Sequence, residues 1–530
     1  MPNKEAILLG DEAVALAAVH AGITVAYAYP GTPSTEIMEF LHPLAKSTGA
    51  FKAFWAVNEK TAYEEALGCS LAHGRTIVSM KHVGLNVAAD PFMNSALIEI
   101  HGGFVLAVAD DPGMHSSQNE QDSRYFADFA LVPCFEPSDQ QEAYTMTRAA
   151  FDFSEKFRVP TMIRLVTRLA HSRSKVKTEE PREKNKPSKA PDPVHNWNLL
   201  PNNARRQYLK LLTKYHDMEK YSEACPFNFL EMNSRKIGVI TNGIAWNYYQ
   251  EILPQLKEKP SHLHIGFSPI PRGLVRRLYD HCDTILIIEE GYPYIERKLN
   301  GLIPPEKRVQ GKLTGAVPPS GELNPRIVLA AFNGGAPKAA EGPLPLPTRP
   351  PQLCQGCPHA DIYLNIRDII KEIGNSLLVT SDIGCYTLGA LPPYNAIETC
   401  ICMGASVSMA KGAADAGQHP VIATIGDSTF MHSGITPLID AIEDDSDMTL
   451  IILDNSGVAM TGGQPSKGTG DRLVGIVRGL GVPEAHFHVV EAHPKRAAEN
   501  LKVIKDAVAH HGLSVIIARR ECNEIAKKRK

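Results

Sequence analysis

The chain has 530 residues, 43% hydrophobic and 21% charged, with a formal net charge of −3. That balance describes an ordinary globular protein with room for about three domains. It offers no basic excess for nucleic acid and no run of about 18 apolar residues for a membrane. The first residues lack the apolar core of a secretory leader, so a cytoplasmic protein is expected. Ten cysteines in a reducing compartment point to ligation rather than disulfides, first of all at the close pair Cys354 and Cys357.

In chain order, residues 5–170 alternate short apolar runs such as Val25-Ala-Tyr-Ala-Tyr29, Thr76-Ile-Val-Ser-Met80 and Gly103-Phe-Val-Leu-Ala-Val-Ala109 with helix-like stretches such as 59–73. Strands separated by helices predict a parallel, doubly wound α/β domain over 1–171. Residues 172–194 are charged, Pro-rich and nearly free of large apolar side chains, which reads as a linker; with the polar helical patch behind it, it makes a connector over 172–234. A second α/β unit, 235–336, contains Lys236-Ile-Gly-Val-Ile-Thr241 and Thr284-Ile-Leu-Ile-Ile-Glu289. A Pro-rich linker follows over 337–351. The last domain, 352–530, has strand patterns at Ser376-Leu-Leu-Val-Thr380, Val421-Ile-Ala-Thr-Ile425, Thr449-Leu-Ile-Ile-Leu453 and Ser514-Val-Ile-Ile-Ala518. The expected fold is α/β, with three doubly wound, mostly parallel-sheet domains.

The most informative stretch is Ala423-Thr-Ile-Gly-Asp-Ser-Thr-Phe430 followed by Leu453-Asp-Asn-Ser-Gly457, with Asn455 placed 28 residues after Asp427. Gly426-Asp427-Ser428 at a strand-to-helix junction lets backbone N–H groups approach a diphosphate. Asp427 and the amide oxygen of Asn455, with a carbonyl near Gly457, suit Mg²⁺. Adjacent parallel strands would bring these ends together on the face where such sheets bind ligands. Read alone, Gly-Asp is turn chemistry; the strand–helix–strand context with a matching Asn lifts it above that.

These residues resemble the signature of thiamine-diphosphate enzymes. The longer string from Gly426 to Gln464 is similar to the large subunit of indolepyruvate ferredoxin oxidoreductases, of the 2-oxoacid:ferredoxin oxidoreductase superfamily. The likeness extends to Tyr29-Pro-Gly-Thr-Pro-Ser-Thr-Glu36, Val57-Asn-Glu-Lys60, Ser79 to Asp90 and His115 to Arg124. It implies that the first domain binds the pyrimidine, that 235–336 is transketolase-C-like and that the third domain binds the diphosphate. Glu59 matches the glutamate on the pyrimidine N1′, which promotes the imino tautomer and so deprotonation at C2. Thr32 resembles a threonine that contacts the oxoacid. Arg124 resembles an arginine that clamps the substrate carboxylate, a task suited to a planar bidentate donor.

Cys354-Gln-Gly-Cys357, Cys385 in a Gly-Cys turn and the distant Cys522 resemble the ligands of a buried [4Fe–4S] cluster in the same superfamily. Cys400 and Cys402 compete for the role. Small buried thiols and a zinc site are the other readings of the same residues. Family members typically continue into a ferredoxin-like domain where this sequence ends, so electrons are expected to leave either through a separate ferredoxin-like subunit or directly from the proximal cluster. The resemblance implies CoA-dependent oxidative decarboxylation of an arylpyruvate to aryl-acetyl-CoA and CO₂, with electrons leaving to ferredoxin. It also implies a smaller α/β subunit in a heterotetramer. A non-oxidative thiamine-dependent decarboxylase and a non-catalytic scaffold subunit are the rival readings.

Overall fold

The computed structural model describes residues 5–299, 308–334 and 351–528. They belong to two compact units, Met1–Glu341 and Gly342–Lys530. Apart from residue 351, the Pro-rich linker over 337–351 lies outside the described residues. Among the described residues no helix is long and apolar enough to cross a membrane.

The first unit is built on a seven-stranded sheet. Its interior strands Thr76–Lys81, Phe104–Asp110 and Thr161–Val166 are buried along their whole length, as expected of parallel strands covered on both faces. Val25–Ala28 and Lys52–Trp55 extend it on one side in parallel register. A second, five-stranded sheet is centred on Ser234–Asn242, flanked in parallel by Pro260–Ile265 and Thr284–Ile288.

The two sheets, read from the sequence as separate domains, are joined within one unit. Phe267–Ser268, from the second α/β segment, pairs antiparallel with Cys134–Phe135 at the edge of the first sheet. A buried ionic network adds a second link, with Arg124 reaching Glu289 at 2.8 Å and Arg164 reaching the Glu290 carbonyl at 3.3 Å.

The charged segment 172–194 departs from the linker reading. It opens with the strand Arg173–Lys177, antiparallel to Glu5–Leu9, and then lies along the first sheet's helices. The Arg182 N–H donates to the His20 carbonyl at 2.8 Å and the Ala190 N–H to the Leu71 carbonyl at 3.1 Å. Spaced backbone hydrogen bonds hold this segment where its composition offers little apolar burial.

The second unit is a five-stranded, wholly parallel sheet in the order Leu378–Thr380, Val421–Gly426, Thr449–Asp454, Ser514–Arg519, Phe487–Glu491. Apolar clusters cover both faces, one around Ile422, Ile451 and Ile516 and the other around Ala423, Ile452 and Ile517. With both faces buried, the carboxyl ends of the strands are where polar side chains collect.

Candidate active site

In the second unit, Val421–Gly426 is buried throughout and runs directly into the helical turn Asp427–Thr429. A Cβ on Gly426 would stand 2.6 Å from Tyr386 Cε1, so only glycine fits that junction. The register Gly426↔Leu453 makes Asp427 and Asp454 the next residues on neighbouring chains.

Asp427 is 2% exposed. Its Oδ1 accepts from the Ser428 N–H at 2.7 Å, while its Oδ2 and the Ser428 hydroxyl have no hydrogen-bond partner. Burial, followed by the Asp454 carboxylate, pushes the Asp427 carboxyl well above the usual range. Asp454 has the Gly470 N–H at 2.7 Å and Arg519 at 3.6 Å, whereas no cation faces the unpartnered Asp427 oxygen among the described residues, and a bound cation would supply one.

Asn455, also buried, points its amide NH₂ at His359 Nε2 at 3.1 Å. Burial pushes His359 down to about 4, so this nitrogen is a neutral acceptor and the orientation of the amide is set. A Cβ on Gly457 would meet Ile525 Cδ1 at 2.7 Å and the Gln464 carbonyl at 2.9 Å. A carboxylate, an amide oxygen and a main-chain carbonyl are hard donors, and they fit Mg²⁺ carrying a diphosphate.

In the first unit, Asn58 caps the helix Glu59–Leu71 by accepting from the Thr61 N–H at 2.8 Å, which places Glu59 in the first turn. Glu59 is 4% exposed. Its carboxylate presses on Gly84, where a Cβ would lie 2.5 Å from Oε1. Gly84 belongs to the short helix His82–Val87 that follows the strand ending at Lys81.

Lys81 is a site residue the sequence reading did not single out. It is buried, and its ammonium donates to the Ser116 carbonyl at 2.8 Å and to the Ser116 hydroxyl at 3.3 Å. The same hydroxyl reaches the Thr32 carbonyl at 3.3 Å. Desolvation lowers Lys81 to about 8, against the pull of Asp111. His82, beside it, is 1% exposed with both ring nitrogens unpartnered, and burial lowers its pKa. Both residues lie in the Ser79 to Asp90 string, which was the available signal. Thr32 is half-buried.

Arg124 requires a correction. It is 1% exposed, and its guanidinium is saturated by the protein. Nε binds Asp122 Oδ1 at 2.9 Å, Nη1 binds Asn242 at 2.9 Å and Glu289 at 2.8 Å, and Nη2 binds Asp122 and the Glu290 and Tyr292 carbonyls. A guanidinium has five N–H donors, and none is left for a substrate carboxylate. Its role in this structure is to neutralise buried carboxylates.

The structure gathers four of the ten cysteines. The Arg520 guanidinium donates to the Gly356 carbonyl at 2.7 Å, and the Asn523 amide donates to the Gln355 and Gly356 carbonyls at 3.1 and 2.9 Å, docking the Cys354–Cys357 turn beside Cys522. Burial first, then Cys357, Cys522 and Cys354, push the Cys385 thiol up to about 12. Burial likewise raises Cys357, with Cys354 and Cys522 contributing. All are free thiols. Cys357 and Cys385 are desolvated beside Cys354 and Cys522, a set that suits thiolate ligation of an iron–sulfur cluster; no three of these sulfurs come within 4.8 Å of one another, as ligation of a single zinc ion would require. Cys400 falls outside this group, against Thr387 at 4.0 Å. Burial and then Asp382 raise Cys402. The Cys522 N–H donates to the Asn455 carbonyl at 3.0 Å, tying the thiol group to the diphosphate end of the sheet.

Comparison with known proteins supports the thiamine-diphosphate reading of both units. Residues 16–219 match the thiamine-diphosphate-binding model of pyruvate flavodoxin/ferredoxin oxidoreductases, and residues 382–518 match the C-terminal TPP-binding domain of thiamine pyrophosphate enzymes. The chain is 38% identical to the indolepyruvate oxidoreductase subunit IorA of Archaeoglobus fulgidus, over 98% of this chain and 87% of that protein. With the IorA subunit of Methanothermobacter thermautotrophicus the identity is 37%, over 97% and 86%. With that of Thermococcus kodakarensis it is 36%, over 98% and 86%. In fold, the 2-oxoglutarate:ferredoxin oxidoreductase of Magnetococcus marinus superimposes with a TM-score of 0.53 at 15% identity, covering 63% of this chain and 65% of that one.

Proposed function

Because the chain belongs to the family of IorA subunits of indolepyruvate oxidoreductases, thiamine-diphosphate-binding members of the 2-oxoacid:ferredoxin oxidoreductases, we propose that it catalyses CoA-dependent oxidative decarboxylation of an arylpyruvate. The observation that carries this reading is the buried Asp427 carboxylate at a strand end, with one oxygen unpartnered, and Asn455 just past the end of the neighbouring strand.

When bound, thiamine diphosphate supplies a nucleophilic carbon and an electron sink for the loss of CO₂. Asp427, Asn455 and the Gly457 carbonyl would hold Mg²⁺, and the Gly426-Asp427-Ser428 turn would offer its N–H groups to the diphosphate. Glu59 holds a proton on the pyrimidine N1′, and its burial keeps that carboxylate out of competition with water. Lys81 and Thr32 take the substrate carboxylate in place of Arg124, since Lys81 Nζ has only the Ser116 oxygens to satisfy it. Cys354, Cys357, Cys385 and Cys522 would hold a [4Fe–4S] cluster, which when bound would supply a one-electron carrier on the way to ferredoxin. CoA takes the acyl group. A smaller α/β subunit completes the enzyme, in a heterotetramer.

The test is to purify the chain anaerobically, alone and with the smaller subunit, and to supply thiamine diphosphate, Mg²⁺, indolepyruvate, CoA and a viologen dye. CoA-dependent dye reduction by the pair and none by the chain alone is expected. Aldehyde release without dye reduction would replace the proposal with non-oxidative decarboxylation, and absence of thiamine diphosphate binding would leave a scaffold.

A further inference from the structure

Asp11, Glu36 and His171 come from three helices of the first unit. Asp11 lies in the first turn of Gly10–His20, Glu36 in the first turn of Thr35–Thr48, and His171 ends Thr167–His171. One ligand atom from each lies within 4.8 Å of the others, and Glu36 Oε2 stands 3.3 Å from His171 Nε2. Asp11 is 0% exposed, and apart from a weak approach of the Ile37 N–H neither of its carboxylate oxygens has a hydrogen-bond partner. A first-turn position explains the preference for an acidic residue there through the helix dipole. It does not compensate a desolvated carboxylate placed beside a second one.

The frame around these residues is rigid. A Cβ on Gly10 would stand 2.3 Å from the Leu169 carbonyl, so the helix that presents Asp11 and the one that presents His171 meet only through a glycine. The Gly31 N–H donates to Thr35 Oγ1 at 3.0 Å, and Ser34 Oγ donates to the Gly31 carbonyl at 2.8 Å, closing the turn that delivers Glu36. On the other side the site is open, with the Glu36 and His171 side chains 32% and 34% exposed, which leaves room for water ligands.

We propose that Asp11, Glu36 and His171 bind one divalent first-row transition cation, of the Zn²⁺ or Mn²⁺ type, with its remaining positions filled by water. Two carboxylates and a neutral imidazole balance a divalent charge, and a mixed oxygen and nitrogen donor set favours these ions over Ca²⁺. The cation would tie Glu36, the last residue of the Tyr29 to Glu36 string, to two other helices, and so fix the turn that carries Thr32. These three residues are separate from Asp427, Asn455 and the cysteines, so the inference does not depend on the proposed reaction.

The experiment uses the full chain in excess Mg²⁺, titrated with Mn²⁺ while the free ion is followed by EPR. Wild type should bind one Mn²⁺ that Mg²⁺ does not displace, and its Tm should rise with Mn²⁺. Asp11→Asn and His171→Ala should each weaken that binding by more than about tenfold and abolish the Tm rise, whereas Cys357→Ser should leave both unchanged. His171 is partly exposed, so its variant carries the test if Asp11→Asn fails to fold. Equal Mn²⁺ affinity in wild type and the two variants would overturn the proposal. So would a wild-type protein that takes up neither Mn²⁺ nor Zn²⁺, which would leave Glu36 paired with His171 beside a protonated Asp11.

Discussion

Replacing Arg124 with methionine separates two roles for this residue, because the structural role predicts a loss of stability and the substrate-clamping role a loss of affinity. In the folded chain Arg124 faces Asp122, Glu289 at 2.8 Å and Glu136 at 3.9 Å, all buried. Arg164 still serves Glu136 at 2.8 Å and lies 3.7 Å from Asp122 after the change, and Glu289 keeps the Ile295 N–H at 2.9 Å. Removing one partner of a buried pair costs about 3–5 kcal/mol. The surviving Arg164 contacts place the expected loss near the lower end, which in the unit Met1–Glu341 corresponds to a fall in Tm of about 4 °C.

Acid sensitivity gives a second readout of the same change. Against the effect of burial, Arg124 and then Arg164 hold Asp122 at about 2, below its ordinary 3.8. A depressed folded-state pKa gives stability that is present above the ordinary value and lost as pH falls towards the depressed one. Without Arg124 the Asp122 carboxyl moves back towards its ordinary value, so this acid-dependent contribution should shrink and stability should fall less steeply with acid. Thermal melts of wild type and Arg124→Met across acidic pH, together with KM for the oxoacid in the assembled enzyme, decide the matter. An unchanged Tm with KM raised more than about tenfold would refute the structural role and restore the clamp.

Four further outcomes are expected. Asp427→Ala should weaken Mg²⁺-dependent thiamine diphosphate binding in calorimetry by more than the 10–100-fold typical of outer-shell partners, and wild-type affinity would remove the site assignment. Glu59→Gln should keep the cofactor yet slow its C2 hydrogen–deuterium exchange by about 10²–10⁴-fold; wild-type exchange by NMR would sink that role. Cys357→Ser should lose iron, acid-labile sulfide and dye reduction together while retaining thiamine diphosphate, and full iron content would move the ligand search to Cys400 and Cys402. Burial raises the Glu290 carboxyl from 4.5 to about 7, so the folded state keeps a proton that the unfolded chain releases, and stability should fall as pH rises through that window. Glu290→Gln should flatten this dependence in urea titrations, and an unaltered slope would show that other groups cause it.

Much of the diphosphate end was legible in the sequence because its signals are local. A wholly apolar run ending in Gly426-Asp427 is a buried strand opening into a helix whatever surrounds it, and Asn455 falls one strand–helix–strand repeat later. Glu59 came from the family resemblance of the Val57-Asn-Glu-Lys60 string, and only the structure showed that Asn58 caps its helix and that Gly84 is glycine to make room for its carboxylate.

The role of Arg124 was not legible, because a side chain's task depends on which charges the fold brings to it. Its partners Asn242 and Glu289 lie 118 and 165 residues away, and they leave no N–H free for a ligand. The same holds for Cys522, placed among the other thiols by Asn523 and Arg520, for Lys81, whose burial lowers its pKa, and for Asp11, whose neighbours Glu36 and His171 belong to other helices. Backbone conformation follows from neighbours in sequence, whereas desolvation and charge compensation follow from neighbours in space, and only the folded chain supplies those.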